Sequence, residues 1–181
     1  MNKKIIWSAS AILIMAVLIW LLINTIMKSS ESAQVLLETS EGDIVIELAS
    51  NMPITTGNFE KLVREGFYDG TIFHRVIQDF MIQGGDPTGT GMGGPEYKIK
   101  DEFADDSTNV RGTISMANAG PNTGGSQFFI NVADNTFLDA KHPAFGKVVN
   151  GMDVVDTISM AATDTNDKPL KEVKIIKAVV K

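Results

Sequence analysis

The sequence contains no cysteine. That absence excludes disulfide bonds, thiolate nucleophiles, and zinc or iron–sulfur sites built on cysteine. Histidine is nearly as scarce, because His74 and His142 are the only two in 181 residues. Neither a His-x-x-x-His spacing nor a carboxylate spacing pairs them, so we expect no metal site. No cofactor is expected either.

Positive charge is also in short supply, with 16 lysines and arginines against 22 acidic residues and a net charge of −6 at pH 7. Three of the basic residues, Lys3, Lys4 and Lys28, lie near the amino terminus, so the rest of the chain is more acidic still. Nucleic-acid binding depends on basic side chains that neutralise phosphates. We therefore expect no nucleic-acid partner.

Charged side chains are missing altogether from residues 5–27. As a helix this run is about 34 Å long, enough to cross a hydrocarbon core of about 30 Å. Trp7 and Trp20 lie toward its ends, as interfacial anchors often do. The run predicts a membrane anchor in residues 1–28, and the alternative is a cleaved signal peptide that would release a secreted form. Because lysines precede the span, we expect a single-pass protein at the cell membrane with its domain outside the cytoplasm.

A polar linker, residues 29–34, leads into one domain, residues 35–181, in which short strands predominate. Val35–Thr39 and Ile44–Leu48 read as a hairpin. Helices are predicted at Thr55–Glu65 and Met152–Met160. Further strands are predicted at Thr71–Ile77, Met81–Gly84, Gly112–Met116, Gln127–Val132, Ala144–Val149 and Glu172–Val180. Two helices with about eight strands indicate a mainly β fold, a closed antiparallel barrel capped by helices, preceded by one transmembrane helix.

Two motif-like stretches have simpler explanations. Residues 89–94 fit Gly-x-Gly-x-x-Gly, but Pro95 follows where a dinucleotide site needs a helix, so we interpret them as a loop. Ser126 lacks the final glycine of a nucleophile elbow and is expected to be a turn residue.

The stretch from Phe73 to Phe129 carries the most distinctive residues. It contains four motifs: Phe73-His74-Arg75, Phe80-Met81-Ile82-Gln83-Gly84-Gly85-Asp86, Met116-Ala117-Asn118-Ala119-Gly120-Pro121-Asn122 and Gly125-Ser126-Gln127-Phe128-Phe129. In this order they closely resemble the cyclophilin family of peptidyl-prolyl cis–trans isomerases. Phe137-Leu138-Asp139 and Phe145-Gly146-Lys147-Val148 extend the resemblance over Val35–Lys181.

The resemblance implies an eight-stranded barrel capped by two helices, catalysis of Xaa-Pro bond rotation that assists protein folding, and proline-containing polypeptides as partners of a monomeric domain. It implies that Arg75 is catalytic. It also implies a set of substrate-binding residues: Phe80, Met81, Gln83, Gly91, Ala117, Asn118, Gln127, Phe129, Phe137, Leu138 and His142. Phe137 departs from the tryptophan that many eukaryotic members have at this position.

Several of these residues have an ordinary structural alternative. An arginine in a strand is usually a surface charge, and Phe80, Met81 and Phe129 would by default be core residues. Gln83 and Asn118 could instead bond local backbone groups. At the level of function, the alternative to an isomerase is a binding module or holdase chaperone that grips proline-containing segments in the same groove.

Overall fold

The structure is a computed structural model that describes residues 14–20 and 32–181. Residues 14–20 are helical, and Ser32–Lys181 forms one compact unit. Its strands are β1 (Gln34–Thr39), β2 (Gly42–Leu48), β3 (Arg75–Ile77), β4 (Met81–Gly84), β5 (Thr113–Met116), β6 (Phe128–Asn131), β7 (Ala144–Asn150) and β8 (Ile175–Val180). Its helices are α1 (Pro53–Arg64), α2 (Met152–Ser159) and a 3-10 turn, Thr136–Leu138. The predicted two helices and eight strands are therefore present in this unit.

β1 and β2 form the hairpin that their apolar residues predict. Val35, Leu37 and Thr39 are buried and alternate with half-buried residues, so one face of β1 packs inward. Thr39 pairs with Gly42 across the turn. Gly42 has a φ of 132°, which glycine adopts readily. This turn fixes the register, and the register decides which face of both strands meets the core.

Helix α1 begins two residues before its predicted start because proline is well suited to the first turn of a helix. The Thr55 N–H, which has no partner within the helix, donates to the carboxylate of Glu102 at 2.9 Å. Phe59 on the inner face is fully buried. Its ring meets three others at centroid distances between 5.1 and 5.4 Å: Tyr68, Phe128 and Phe145. This aromatic cluster joins α1 to the sheet.

The strands form one antiparallel sheet in the order β3-β4-β6-β5-β7-β2-β1-β8. β3 and β8 are its edges, so the sheet is a half-barrel, and the prediction of a closed barrel is wrong in that respect. The predicted strand Thr71–Ile77 shrinks to Arg75–Ile77. Its first part is shared between two neighbours, because Ile72 forms isolated bridges with Asp86 and with Lys174.

Main-chain hydrogen bonds nevertheless span the gap between the two edges. The Phe73 N–H donates to the carbonyl of Val173 at 3.0 Å, and the Ile175 N–H donates to Thr71 at 2.8 Å. These bonds satisfy groups that a sheet edge would otherwise expose. The segment that leads into Arg75 is therefore held on both sides.

The strands β3, β4 and β6 have two different faces. Val76, Ile82 and Ile130 pair with one another across the three strands and belong to the hydrophobic core. Side chains alternate along a strand, so the residues between them point to the opposite, outer face. Met81 and Phe129 are buried on that face, and neither belongs to the core cluster. Other parts of the chain must therefore cover Met81 and Phe129 on the outer face.

The predicted membrane span, residues 5–27, falls outside the described residues except for the helical segment 14–20. Within 14–20 and 32–181, none of the helices combines the length and the apolar character that crossing a bilayer requires. The predicted localisation, a single-pass protein at the cell membrane, is corrected by this finding. The predicted membrane contact is likewise without support.

Candidate active site

Arg75, Gln83 and Phe129 form a row across three strands on the outer face of the sheet. Arg75 of β3 pairs with Gln83 of β4, and Gln83 pairs with Phe129 of β6. Met81 lies two residues before Gln83, and a spacing of two keeps it on the same face. The sheet thus brings a cationic, an amide and two apolar side chains together at one place.

This row borders a cavity of about 300 Å³. The lining residues are Arg75, Phe80, Met81, Gln83, Ala117, Asn118, Phe129, Leu138 and His142. All of them are residues for which the resemblance implies a role in the site. Two of the remaining candidates, Gly91 and Gln127, line a neighbouring cavity of about 230 Å³. The two cavities adjoin, because Gln83, Ala117 and Asn118 line both.

The inner wall of the larger cavity is apolar. Met81 is 2% exposed and Phe129 is 5% exposed, so the default expectation of burial is correct for both. They line the cavity from the outer face of the sheet, however, and are not part of the core cluster. The ring of His142 stands edge-on to Phe129 at 5.6 Å, and its Nδ1 lies 3.2 Å from the carbonyl of Met116. The His142 ring therefore packs against the apolar wall and is held by one hydrogen bond.

Phe137 lies outside both adjoining cavities. Its side chain is 71% exposed and does not line either of the two adjoining cavities in the described unit. Its ring stacks on Phe80 with a centroid distance of 6.1 Å and an interplanar angle of 14°. Phe137 thus extends the apolar surface of Phe80 outward at the rim.

The side-chain amides around the cavities form hydrogen bonds to other groups of the protein. These amides belong to Gln83, Gln127 and Asn118. The Gln83 Nε2 donates to the Gln127 Oε1 at 3.0 Å, and the Gln127 Nε2 donates to the carbonyls of Gly91 and Gly93. The Asn118 Nδ2 donates to the carbonyl of Lys141 at 2.7 Å. The structural alternative that was open for Gln83 and Asn118 is therefore partly realised: Asn118 bonds to main-chain groups, whereas Gln83 bonds to the side chain of Gln127.

A chain of buried asparagines ties the walls of the larger cavity together from behind. The Nδ2 of Asn135 donates to the carbonyl of Phe80 and to the Oδ1 of Asn131, both at 2.8 Å. The Nδ2 of Asn131 reaches the Oδ1 of Asn109 at 3.3 Å, and Asn109 donates to the carbonyl of His142 at 2.9 Å. All three asparagines are 4% exposed or less. One continuous network therefore connects the two sides of the cavity.

The glycine-rich loop, residues 86–94, is wound around its own first residue. The carboxylate of Asp86 is fully buried and accepts hydrogen bonds from the N–H groups of Thr88, Thr90, Gly91 and Gly93. Burial alone would raise the pKa of Asp86, but these bonds outweigh it and hold the pKa well below its ordinary value. Because the N–H groups point inward, they are not free to cradle a phosphate. The loop interpretation of the Gly-x-Gly-x-x-Gly pattern is confirmed.

His74 lies beneath this loop and does not line either cavity of the site. It is 6% exposed, and within the described residues neither ring nitrogen has a hydrogen-bond partner. Burial lowers the pKa of His74, and the opposing charge of Asp86 only partly offsets that effect. His74 is therefore a neutral packing residue at neutral pH.

Asp167 is a site residue that the sequence did not reveal. Its Oδ2 lies 3.4 Å from the Nε of Arg75, and the two side chains are 43% and 44% exposed. Ninety-two positions separate the two residues in sequence. No local pattern links them, and the polar loop around Asp167 gave no signal of its own.

Comparison with known proteins agrees with this geometry. The model of the family "Cyclophilin type peptidyl-prolyl cis-trans isomerase/CLD" matches residues 34–180. A peptidyl-prolyl cis-trans isomerase of Schizosaccharomyces pombe is 53% identical over 152 residues, which cover 81% of this chain and 98% of the relative. The human peptidyl-prolyl cis-trans isomerase-like 1 is 49% identical over 155 residues, covering 83% and 93%.

Solved structures give the same result. A cyclophilin type peptidyl-prolyl cis-trans isomerase of Cryptosporidium parvum superposes with a TM-score of 0.80 at 38% identity, covering 83% of this chain and 98% of that one. A second crystal structure of that protein, in the presence of the dipeptide Ala-Pro, gives a TM-score of 0.79 at 39% identity, covering 82% and 98%. The chain belongs to the cyclophilin family of peptidyl-prolyl cis–trans isomerases.

Proposed function

We propose that Arg75 is the catalytic residue of this isomerase and that the adjoining 300 Å³ cavity receives the proline ring of the substrate. The observation that carries the proposal is the position of a guanidinium at the rim of a cavity whose inner wall is Met81 and Phe129. A proline ring is apolar, and its tertiary amide must remain at the rim, within reach of a cation.

The chemistry requires a group that favours a twisted peptide bond over a planar one. Amide resonance gives rotation a barrier of about 18–20 kcal/mol. At the top of that barrier resonance is lost and the prolyl nitrogen regains a lone pair. A hydrogen bond from Arg75 to that lone pair exists only in the transition state, so it raises the rate and not merely the affinity.

Arg75 cannot supply the whole acceleration. Bringing a step of tens of seconds to milliseconds is about 10⁴-fold, or about 5–6 kcal/mol. One charge-assisted hydrogen bond contributes about 1.5–3 kcal/mol. The remainder must come from holding one side of the bond still while the other side turns.

We assign that holding role to the other residues of the two cavities. Phe80, Met81, Phe129 and Leu138 would grip the proline ring, with His142 at the edge. Gln83, Ala117, Asn118 and Gln127 would hold the substrate backbone, Gly91 would border the neighbouring groove, and Phe137 would extend the apolar rim. Because the Asn118 amide already bonds to Lys141, the part of Asn118 that we expect a substrate strand to meet is its main chain.

We also propose that residues 35–181 are the catalytic domain, acting as a monomer, and that proline-containing polypeptides are its substrates. The related Cryptosporidium parvum structure in the presence of Ala-Pro supports this substrate class.

The test is a protease-coupled isomerase assay of the full chain on an uncharged Xaa-Pro peptide. We expect Arg75→Ala to lower kcat/KM about 10- to 100-fold, which corresponds to losing one charge-assisted hydrogen bond. Arg64→Ala is the matched control, because Arg64 is an exposed arginine on α1 whose side chain pairs with Glu60. Undiminished activity in Arg75→Ala would refute the assignment of Arg75 as the catalytic residue.

A further inference from the structure

The loop that carries Asp167, residues 163–169, is a tight and self-supporting turn. The Asp164 N–H donates to the carbonyl of Lys168 at 2.8 Å. The Asp164 carboxylate accepts from the N–H groups of Asn166 at 2.8 Å and Lys168 at 3.0 Å. Asp167 itself has a φ of 63°, in the left-handed region. These bonds hold the backbone of Asp167 in one conformation, independently of its side chain.

This turn is docked on the strand that carries Arg75. The carbonyl of Asp167 accepts from the N–H of Val76 at 2.8 Å, next to Arg75 in β3. On the other side of the turn, the Lys168 Nζ lies 3.3 Å from the carbonyl of Gly89, in the loop around Asp86. The turn therefore covers the free edge of β3 at the level of the cavity. Its position relative to Arg75 is set by the main chain.

The Asp167 carboxylate meets Arg75 at one edge of the guanidinium only. The contact, 3.4 Å, is to Nε, and in the described part of the chain it is the one hydrogen bond that the Arg75 side chain makes to an acidic group. A guanidinium has five N–H donors in a rigid plane. Fixing Nε fixes the orientation of that plane and leaves the two Nη groups available to a ligand in the cavity.

We propose that Asp167 is a positioning residue for Arg75: it holds the guanidinium by its Nε edge so that the Nη groups face the prolyl nitrogen. This inference rests on the proposed role of Arg75. Arginine has several rotatable bonds, and productive geometry requires placement within about 10–20°. An Arg75 side chain that is already held in place is therefore more often in the orientation that stabilises the transition state.

The negative charge of Asp167 also has an effect that opposes its orienting role, and this charge effect is the weaker of the two. A nearby negative charge reduces the field of the guanidinium, which by itself would make removal of Asp167 accelerate the reaction. Both side chains are more than two-fifths exposed, and water screens a charge effect at such a site. The 3.4 Å contact that sets the orientation of Arg75 acts at close range and outweighs this screened field effect at low salt, so loss of Asp167 should slow the enzyme.

The experiment compares the full chain with Asp167→Asn, which removes the charge but tolerates a positive φ. We expect kcat/KM to fall about two- to fivefold, mainly through kcat. Asp167→Gly, which also accommodates the backbone conformation and removes the acceptor for the Arg75 Nε altogether, should give at least the same loss. Asp79→Asn is the matched control, because Asp79 is an exposed aspartate with a φ of 58° in the turn between β3 and β4. It should retain wild-type activity, whereas an equal loss in Asp79→Asn would attribute the effect to charge alone and overturn the proposal.

Two further measurements separate positioning from a merely structural role. In an Arg75→Ala background, Asp167→Asn should have no additional effect on kcat/KM, because there is no guanidinium left to hold. Added salt should reduce the advantage of the wild type over Asp167→Asn, since the contact is an exposed ion pair. The proposal is overturned if Asp167→Asn is as fast as the wild type or faster, or if it slows the Arg75→Ala enzyme equally. Full activity in Arg75→Ala alone would instead overturn the assignment of Arg75.

Discussion

Replacing Asp86 by asparagine should be among the most destabilising polar substitutions in this protein. One carboxylate oxygen accepts from the N–H and hydroxyl of Thr88, and the other accepts from the N–H groups of Thr90, Gly91 and Gly93. An asparagine NH₂ in either orientation must face at least one of these N–H donors. One buried N–H without a partner costs about 1–3 kcal/mol, and the remaining bonds lose their charge assistance, so the total is about 3–5 kcal/mol.

Urea unfolding of the full chain at neutral pH measures this loss. The matched control is Asp105→Asn, which makes the same chemical change at an exposed aspartate and should alter the free energy of unfolding by no more than about 0.5 kcal/mol. A loss below about 1 kcal/mol in Asp86→Asn would refute the reasoning, because it would mean that the loop does not depend on its internal anion.

The same substitution predicts a pH dependence. The pKa of Asp86 in the folded protein lies below its ordinary value of 3.8, because hydrogen bonds from the loop outweigh the effect of burial. A carboxyl group with a lowered pKa contributes its full stability above the ordinary pKa and loses it as the pH falls toward the folded pKa. The difference in unfolding free energy between wild type and Asp86→Asn should therefore shrink below about pH 4. Urea unfolding at a series of pH values checks this, and a difference that grows on acidification would contradict it.

Two further substitutions test the loop and the rim. Gly93→Ala should destabilise the protein by about 1–3 kcal/mol, because its Cβ would collide with the buried carboxylate of Asp86. Gly94→Ala is its control, since the nearest atom would be 3.6 Å away, and equal losses in urea unfolding would contradict the collision. Phe137→Ala should leave stability within about 0.5 kcal/mol because the ring is exposed. It should also raise KM about two- to fivefold through loss of the surface stacked on Phe80, so an unchanged KM would place Phe137 outside the binding surface.

Elements with a local signal could be predicted well. Strand β4 has the predicted bounds, Met81–Gly84, and α2 ends one residue before its predicted end at Met160. The hairpin of β1 and β2 followed from two β-branched and apolar runs separated by a polar segment that contains Gly42. The predicted strand Thr71–Ile77 is shorter than expected because Ile72 is shared between two neighbours through isolated bridges, and the sheet is open between β3 and β8. Pairing of one segment with two neighbours depends on tertiary contacts and leaves no periodic pattern of apolar residues in the sequence.

The site residues illustrate a different limit. All four residues of β6 are buried, so the alternation that separates a core face from an outer face is lost. Phe129 could therefore be identified as a cavity residue only through the family resemblance, and pairing with Gln83 supplies the physical reason. The contact between Arg75 and Asp167 could not be predicted at all, because it joins an edge strand to a distant turn.

The asparagine network behind the cavity sets how far the cavity can open. The main-chain carbonyls of Phe80 and His142 lie on opposite sides of the cavity. They are connected by hydrogen bonds through three side-chain amides, those of Asn135, Asn131 and Asn109. Neither side can therefore move outward without straining the same hydrogen bonds. A ligand too wide for the gap would have to break a hydrogen bond where water cannot replace it, at about 1–3 kcal/mol for each group stranded. The hydrogen bonds that limit the width of an incoming ring are therefore buried in the interior, where substitutions on the protein surface do not reach them.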